Sequence, residues 1–222
     1  MENLTLIIPA KKEKESLAIV LEELKQYKFK IKICLEKDDK ETIESIKNYA
    51  AEVIYQDGKG YGDALISGIK NTNTEYFCIF NADGSFKPSE IAPMFKKIIE
   101  TNSDFIFGSR YEKGSKSEDD TIVTYIGNFF FTKLGKYLFN LNISDILYTF
   151  VIGNTFKAKN LELKYNDFRF CVELPIKAKI KDLKLITHVA HERSRIGGKK
   201  KVNAFKDGFL ILMSMLKFFL NK

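Results

Sequence analysis

One stretch near the middle of the chain, residues 76–85, constrains the fold more than any other. Its opening letters, YFCIF, form an unbroken apolar run that predicts a strand buried on both faces of a sheet. Polarity then changes within one residue, and Asn81 and Asp83 are spaced so that both side chains can leave the strand end in the same direction. Gly84 permits a tight turn, and Pro88 is suited to open a helix. Because ligands of open α/β sheets bind beyond the carboxyl ends of the strands, Asp83 is either a candidate metal ligand or an ordinary capping residue.

Strand-like and helix-like segments alternate over the first half of the chain, up to about residue 110. This alternation predicts an α/β fold with a mostly parallel sheet and helices on its faces. The second half is less regular and begins with a polar, charged segment at 112–121, for which we expect a mobile loop. Apolar spacing then predicts helices at 122–141, 171–180 and 203–222.

The formal net charge of +7 is concentrated near the C-terminal end of the sequence. The basic side chains that crowd there are Arg193, Arg195, Lys199, Lys200, Lys201 and Lys206. Such a cluster attracts phosphates, nucleic acid or acidic lipid headgroups, whereas a solvated surface accounts for most of the other lysines. The 3 cysteines form no CxxC pair, so we expect buried thiols in a reducing compartment. No apolar run reaches the roughly 18 residues that a membrane-spanning helix needs.

Acidic side chains follow three of the predicted strands. Glu13, Glu36 and Asp83 would all lie at one edge of a parallel sheet. Carboxylates there can accept hydrogen bonds from a base and from ribose hydroxyls, or hold a metal ion that neutralises a diphosphate. Each residue alone is more often a cap or a solvated charge, but together they favour a nucleotide and metal site.

Basic and glycine-rich segments supply candidate phosphate contacts. Arg110 follows a predicted strand and suits bidentate contact with phosphate, or it forms a surface salt bridge. Arg193, Arg195, Lys199 and Lys201 surround Gly197 and Gly198 in a segment that could fold over an anion or remain a solvated loop. This segment lacks interleaved aromatic residues, which argues against nucleic acid as a partner. Residues 57–62, DGKGYG, match no nucleotide fingerprint, but they could present backbone N–H groups to phosphate or form a plain turn.

Taken in order, several short segments resemble those of family 2 glycosyltransferases with the GT-A fold, and in particular the dolichol-phosphate mannose synthase-like, or polyprenyl-phosphate glycosyltransferase, branch. Residues 6–13, LIIPAKKE, are similar to the opening VVIPTYNE, with Pro9 and Glu13 kept. The further matches are residues 57–64 followed by Gly68 (GKGxAxxxG), 81–85 (DADLS), 108–111 (GSRY), 145–150 (DxxxGF), Glu173 in the following helix, and 191–202 (HxRxGGxSKV). The order and spacing of these motifs, rather than any single one, carry the resemblance.

The sequence also departs from the family pattern. Asn81 stands where the first metal aspartate is usual, and Thr149 stands where DxxxGF has glycine. The paired aspartates after the second strand are replaced by EKDD at 36–39, and Lys200 replaces the serine of SKV. These changes leave room for an altered choice of donor or for lost activity.

The resemblance implies an inverting transfer of a sugar from a UDP- or GDP-sugar to a polyprenyl phosphate at the cytoplasmic face of a membrane. Asp83 with Asn81 would hold Mg2+ or Mn2+ on the diphosphate, and Arg110 would orient the acceptor phosphate. The residues expected to bind the donor are Pro9, Glu13, Glu36, Asp57, Lys59, Arg193, Arg195 and Lys201. It further implies a GT-A domain over 1–202, with a nucleotide-sugar-binding half at 1–110 and an acceptor half at 111–202, followed by an amphipathic helix at 203–222.

Three other functions stay open at this stage. A family 2 transferase that glycosylates a saccharide hydroxyl needs a general base, for which Asp145 or Glu173 would be the candidates. Asn81 motivates a nucleotide-sugar-binding module without turnover, and the net charge motivates a nucleic-acid binder. The last helix could contact a membrane, pack on its own domain, or contact a second subunit in a homodimer.

Overall fold

A computed structural model describes residues 2–197 and 201–221. Nine strands occur in these residues. They are β1 (Leu4–Pro9), β2 (Lys30–Leu35), β3 (Glu52–Tyr55), β4 (Tyr76–Ile79), β5 (Phe105–Ser109), β6 (Lys116–Ser117), β7 (Val151–Asn154), β8 (Leu185–Val189) and β9 (His191–Glu192). The eight α-helices of the same residues are α1 (Ser16–Leu24), α2 (Lys40–Ile46), α3 (Tyr61–Lys70), α4 (Ile91–Glu100), α5 (Ile122–Phe139), α6 (Thr155–Lys159), α7 (Phe170–Ile180) and α8 (Ala204–Leu220).

Seven strands form one sheet in the order β3-β2-β1-β4-β7-β5-β8. All neighbouring pairs are parallel except those made by β7, which runs antiparallel to β4 and β5. This confirms the predicted α/β fold with a mostly parallel sheet. The strand of residues 76–79 lies at the centre of the order. Because β2, β1 and β4 are parallel neighbours, their carboxyl ends meet at one edge.

Two hydrophobic layers cover the faces of the sheet, and the strand residues alternate between them. Ile7 and Phe77 point into the layer formed with α3, α5, α7 and α8. Leu6 and Cys78 point into the opposite layer, formed with α1 and α4. With both faces of the sheet covered, all of β1 and the residues of β4 from Phe77 onward are buried. The three cysteines are free and buried, as predicted.

Helices α5 and α8 pack against each other beside the sheet. The ring of Phe139 meets that of Phe219 edge to face at 6.3 Å. Both helices bury one stripe and expose another, and the exposed apolar side chains are Ile122, Val123, Tyr125, Ile126, Phe129, Phe130 and Tyr137 on α5 and Phe205, Phe209, Met213, Leu216, Phe219 and Leu220 on α8. Among the described residues, no helix combines the length and apolar character needed to cross a membrane.

The segment at 112–121, for which a mobile loop was expected, is partly ordered by pairing with a distant part of the chain. Its short strand β6 runs parallel to β9, with Lys116 opposite His191 and Ser117 opposite Glu192. The backbone N–H of Glu118 also donates to the carbonyl of Glu192 at 3.1 Å. The sequence did not reveal this small sheet because each strand has only 2 residues.

Candidate functional site at the carboxyl edge of the sheet

A cavity of about 560 Å³ opens at the edge where β1, β2 and β4 end. Eight of the site residues predicted from the sequence line this cavity: Pro9, Glu13, Glu36, Asn81, Asp83, Arg110, Arg195 and Lys201. Further lining residues that sequence reasoning did not select include Lys11, Tyr61, Tyr148, Thr149, Phe168 and Glu192. The structure therefore brings together most of the residues proposed from the sequence, from both halves of the chain.

Asp83 faces this cavity from the turn after β4. Its Oδ1 accepts hydrogen bonds from the backbone N–H of Ser85 at 3.0 Å and from the Ser85 hydroxyl at 2.7 Å. Its Oδ2 lies 3.8 Å from Nη1 of Arg195. Gly84 has φ +81°, and a Cβ there would lie 2.4 Å from Cδ1 of Ile196, so the predicted glycine turn is required by both conformation and space. The turn thus holds Asp83 Oδ1 firmly while Oδ2 remains oriented toward a cation.

Asn81 lies beside Asp83 and makes only weak contacts. Its Oδ1 accepts from the Tyr61 hydroxyl at 3.5 Å, and its Nδ2 donates to the Ser85 hydroxyl at the same distance. Tyr61 Oη is also 2.6 Å from the Thr149 hydroxyl. Burial raises the pKa of Tyr61, so this hydroxyl stays protonated.

Two acidic residues line the cavity at the ends of β1 and β2. Glu13 is buried; its Oε2 accepts from the Ser16 hydroxyl at 2.7 Å and its Oε1 pairs with Lys201. Glu36 pairs with Lys11 at 2.7 Å. Each carboxylate therefore has a lysine partner, and both lysines line the same cavity.

The segment after β9 returns over the turn that carries Asp83. The N–H of Ile196 donates to the carbonyl of Asp83 at 2.8 Å. Arg195 pairs with Asp119 at 2.7 Å, and this hydrogen bond raises the pKa of Arg195. Arg193 does not line the cavity; its guanidinium pairs with Glu23 at 2.9 Å and donates to the carbonyl of Phe86 at 2.9 Å. Gly198, Lys199 and Lys200 of the predicted basic loop lie outside the described residues.

Arg110 lies at the end of β5 between two acidic residues. Its Nε and Nη2 donate to Asp145 at 2.8 and 3.0 Å, and its Nη1 donates to Glu192 at 3.2 Å. Asn128 donates to the same Asp145 at 2.7 Å. The Arg110 guanidinium also lies over the Tyr148 ring, 4.6 Å from its centroid. Burial raises the pKa of Glu192, while the nearby Arg110 acts in the opposite direction.

Several predicted site residues lie outside the lining of this cavity. Asp145 is 1% exposed and is held by Arg110 and Asn128. Glu173 is 1% exposed and is occupied elsewhere, since it accepts from the N–H groups of Lys164 and Tyr165.

Asp57 and Lys59 are exposed, and their turn contributes Gln56 and Gly60 to the cavity instead. Sequence reasoning also missed Glu192. The only available signal was its place just after a strand and next to Arg193, which is too common to be informative.

Comparison with known proteins agrees with this geometry. Residues 5–161 match the family model described as glycosyl transferase family 2, which is more than half of the chain. The chain belongs to glycosyl transferase family 2. The resemblance inferred from the short motifs is thereby confirmed.

Proteins similar to this chain include three from archaea. The chain is 25% identical over 174 residues to a low-salt glycan biosynthesis hexosyltransferase of Haloferax volcanii, covering 75% of this chain and 40% of the relative. It is 26% identical over 113 residues to a dolichyl-phosphate hexose transferase of the same organism, covering 51% of this chain and 48% of the relative. The chain thus spans less than half of the length of these two relatives. A UDP-N-acetylglucosamine–dolichyl-phosphate N-acetylglucosaminyltransferase of Methanococcus voltae is 25% identical over 170 residues, covering 72% of this chain and 67% of the relative.

Solved structures show that the GT-A fold extends over nearly the whole chain. Glucosyl-3-phosphoglycerate synthase from Mycobacterium tuberculosis, in complex with phosphoglyceric acid, matches with a TM-score of 0.74 at 11% identity, covering 97% of this chain and 79% of that chain. The same enzyme in complex with Mn2+, uridine diphosphate and glucosyl-3-phosphoglycerate matches with a TM-score of 0.73 at 10% identity, over the same shares of the two chains.

Proposed function

We propose that this family 2 member is an inverting glycosyltransferase that moves a sugar from a nucleotide-sugar donor to a polyprenyl phosphate. Membership of the family supports the reaction class. The descriptions of two archaeal relatives, a dolichyl-phosphate hexose transferase and a dolichyl-phosphate N-acetylglucosaminyltransferase, support a lipid phosphate as acceptor. The layout of the cavity and of the helices beside it supplies the further arguments.

The donor end of the cavity lies at the carboxyl ends of β1, β2 and β4. In this proposal Glu13 and Glu36 accept hydrogen bonds from the nucleoside, and Lys201 and Arg195 exchange part of their pairing with carboxylates for contact with the diphosphate. Both cations already line the cavity, so binding needs only side-chain movement. The positive charge stabilises the nucleoside diphosphate as it leaves.

Asp83 and Asn81 fit a divalent metal ion that arrives with the diphosphate. They offer one carboxylate and one amide oxygen, and both are hard ligands. The Asp83 Oδ2 already faces a positive charge, the guanidinium of Arg195 at 3.8 Å. The described residues contain no group of three acidic, histidine or cysteine side chains that could hold a metal by themselves. This suits Mg2+ or Mn2+, which commonly bind through one or two protein oxygens and the phosphates of the substrate. When bound, the ion would neutralise the charge of the diphosphate.

The single observation that carries the choice of acceptor is the position of the exposed apolar stripe of α5 and α8. Helix α8 begins at Ala204, two residues after Val202, which lines the cavity. Helix α5 is linked to the cavity through Arg110, whose guanidinium lies 5.3 Å from the centroid of the Tyr111 ring. That ring meets Tyr125 of α5 edge to face at 5.2 Å. In this proposal Arg110 exchanges its contact with Glu192 for the lipid phosphate, and the hydrocarbon chain lies on the exposed apolar side chains of α5 and α8.

The surroundings of this stripe also suit the surface of a membrane. Of the 20 large hydrophobic residues exposed in the described parts of the chain, 13 lie on these two helices. Lysines 133, 136, 206 and 217 on the same two helices are exposed and can reach acidic headgroups. Together these features support peripheral contact with the cytoplasmic face of a membrane.

The ion pairs made by the two candidate bases, Asp145 and Glu173, also favour a phosphate acceptor over a saccharide hydroxyl. A hydroxyl acceptor must lose its proton to a base near the sugar, whereas a lipid phosphate is already ionised. Asp145 is neutralised by Arg110, and Glu173 is neutralised by Lys177 at 2.8 Å. In this proposal an oxygen of the lipid phosphate attacks the anomeric carbon, and the bond to the nucleoside diphosphate breaks with inversion.

The test is transfer from radiolabelled UDP- and GDP-sugars to dolichyl or undecaprenyl phosphate in liposomes, with soluble saccharides in parallel. We expect label in the lipid fraction, and we expect the Asp83→Asn variant to lose transfer. In a separate binding assay, the wild-type protein should bind acidic liposomes, and the double variant Phe129→Ser with Phe209→Ser should bind them more weakly. Phe156→Ser is the matched control, because Phe156 is 73% exposed on α6, outside the stripe. Turnover with soluble saccharides only would refute the lipid acceptor, and nucleotide binding without turnover on either class would indicate a binding module.

A further inference from the structure

The part of the cavity beside Asp83 contains a cluster of neutral polar groups from three separate elements. Tyr61 comes from the start of α3, Asn81 follows β4, and Thr149 precedes β7. The Tyr61 hydroxyl lies 2.6 Å from the Thr149 hydroxyl and 3.5 Å from the Asn81 Oδ1. All three residues line the cavity. Asn81 and Thr149 are also two of the positions at which the sequence departs from the family motifs, and Tyr61 joins them in space.

This cluster differs in chemistry from the rest of the cavity. The lysine and arginine side chains pair with Glu13, Glu36 and Asp83, which makes that region charged. The cluster contains only two hydroxyls and an amide, and the Tyr61 ring stacks on Phe168 with a centroid distance of 5.2 Å. An aromatic surface beside neutral donors and acceptors matches the alternating apolar and hydroxyl surface of a hexose better than it matches a phosphate.

The cluster also keeps hydrogen-bonding capacity for a ligand. Each hydroxyl can donate once and accept twice, and the Asn81 Nδ2 can donate twice, while the Asn81 Oδ1 is the atom proposed to hold the metal ion. The contacts among the three groups and Ser85 use only part of this capacity, and two of them are long, at 3.5 Å. A ligand hydroxyl can therefore replace the weak contact between Tyr61 and Asn81 without leaving either group unpaired.

We infer that Tyr61, Asn81 and Thr149 form the subsite that binds the hydroxyls of the donor's hexose and so select the donor sugar. The inference rests on the proposed use of a nucleotide sugar. Its location follows from covalent chemistry, because the hexose is attached to the diphosphate and Asp83 lies two residues from Asn81. Thr149 acts mainly by positioning, since its short bond to Tyr61 sets the direction in which that hydroxyl points.

The experiment compares nucleotide with nucleotide sugar in the same variants. Dissociation constants for UDP, UDP-glucose and UDP-N-acetylglucosamine, and for GDP and GDP-mannose, are measured by calorimetry with Mn2+ for wild type, Tyr61→Phe and Thr149→Val. We expect UDP or GDP affinity to change less than twofold, while the affinity for the preferred nucleotide sugar falls about tenfold, as for a site that loses a hydrogen bond to a substrate hydroxyl. Tyr27→Phe, which changes a tyrosine that does not line the cavity, should match wild type throughout.

The outcomes separate this subsite from the proposed function. Equal weakening of nucleotide and nucleotide-sugar binding, or no change in either, would overturn the hexose subsite alone. A wild-type protein that binds neither nucleotides nor nucleotide sugars would overturn the proposed function and the subsite together. A shift in the ranking of the sugars in Tyr61→Phe supports the subsite even if the variant is less stable, because a merely structural role would lower all affinities alike.

Discussion

Glu173 offers the sharpest test of whether a buried carboxylate in this fold serves structure or chemistry. It is 1% exposed, and it accepts hydrogen bonds from the N–H of Lys164 at 3.0 Å and of Tyr165 at 2.8 Å. It also pairs with Lys177 at 2.8 Å. These contacts tie α7 to the segment that precedes it, so we expect substitutions of Glu173 to reduce stability.

The size of the effect follows from the groups left without a partner. Glu173→Ala leaves two N–H donors unpaired, each costing about 1–3 kcal/mol when buried. Lys177 loses less, because its side chain is 19% exposed and also donates to the carbonyl of Glu162. Lys164 is exposed and Tyr165 is half-buried, so water can partly replace the lost acceptor. We expect a loss of about 2–4 kcal/mol for Glu173→Ala, and about 1–2 kcal/mol for Glu173→Gln, whose amide oxygen can still accept both bonds. For a chain of this length, the larger loss lowers the Tm by about 10 °C.

The assay is urea and thermal unfolding followed by circular dichroism, because the chain has 0 tryptophans. Glu100→Gln is the control, since its side chain is 61% exposed in a surface pair with Lys96 and should cost less than about 0.5 kcal/mol. Sugar transfer by Glu173→Gln is measured at a temperature where the variant is folded. A variant of wild-type stability that has lost transfer would refute the structural role and restore Glu173 as a catalytic base.

Three further predictions follow from single contacts. The Gly60→Ala variant should lose about 3 kcal/mol of unfolding free energy, measured with urea. The reason is that Gly60 has φ +106° and ψ 169°, and a Cβ there would lie 2.4 Å from the carbonyl oxygen of Asn166. An unchanged unfolding midpoint would contradict this. The Asn81→Asp variant adds a second carboxylate beside Asp83, so it should bind Mn2+ in the UDP complex on the order of tenfold more tightly. The free Mn2+ is measured by electron paramagnetic resonance. Weaker binding would show that these residues do not hold the ion. Burial, followed by the charge of Lys97, lowers the pKa of His188 from 6.5. As the pH falls, His188 therefore takes up a proton in the unfolded chain before it does so in the folded chain. Stability should fall as the pH drops below about 6.5, and it should fall more steeply in wild type than in His188→Gln. Parallel stability profiles would show that His188 does not cause this loss of stability.

The fold and the donor end of the site could be predicted from the sequence because they depend on local patterns. Buried strands have a period of two, and helices repeat their apolar residues at about 3.6. In a parallel sheet the residue that follows each strand reaches the same edge, whatever the rest of the chain does. Glu13, Glu36 and Asp83 could thus be assigned to one cavity from strand ends alone, and the structure brings them there.

Only the tertiary structure decided which of the remaining charged groups face that cavity. Arg110 holds Asp145, which is 35 residues away in the sequence, and it also contacts Glu192, which is 82 residues away. Arg193 and Arg195 are two residues apart, yet one turns to Glu23 while the other turns to Asp119 and Asp83. Charged side chains take whichever partner the fold brings within about 4 Å, and burial strengthens that choice by excluding water. The identity of each partner is a property of the packed chain, which no local pattern contains.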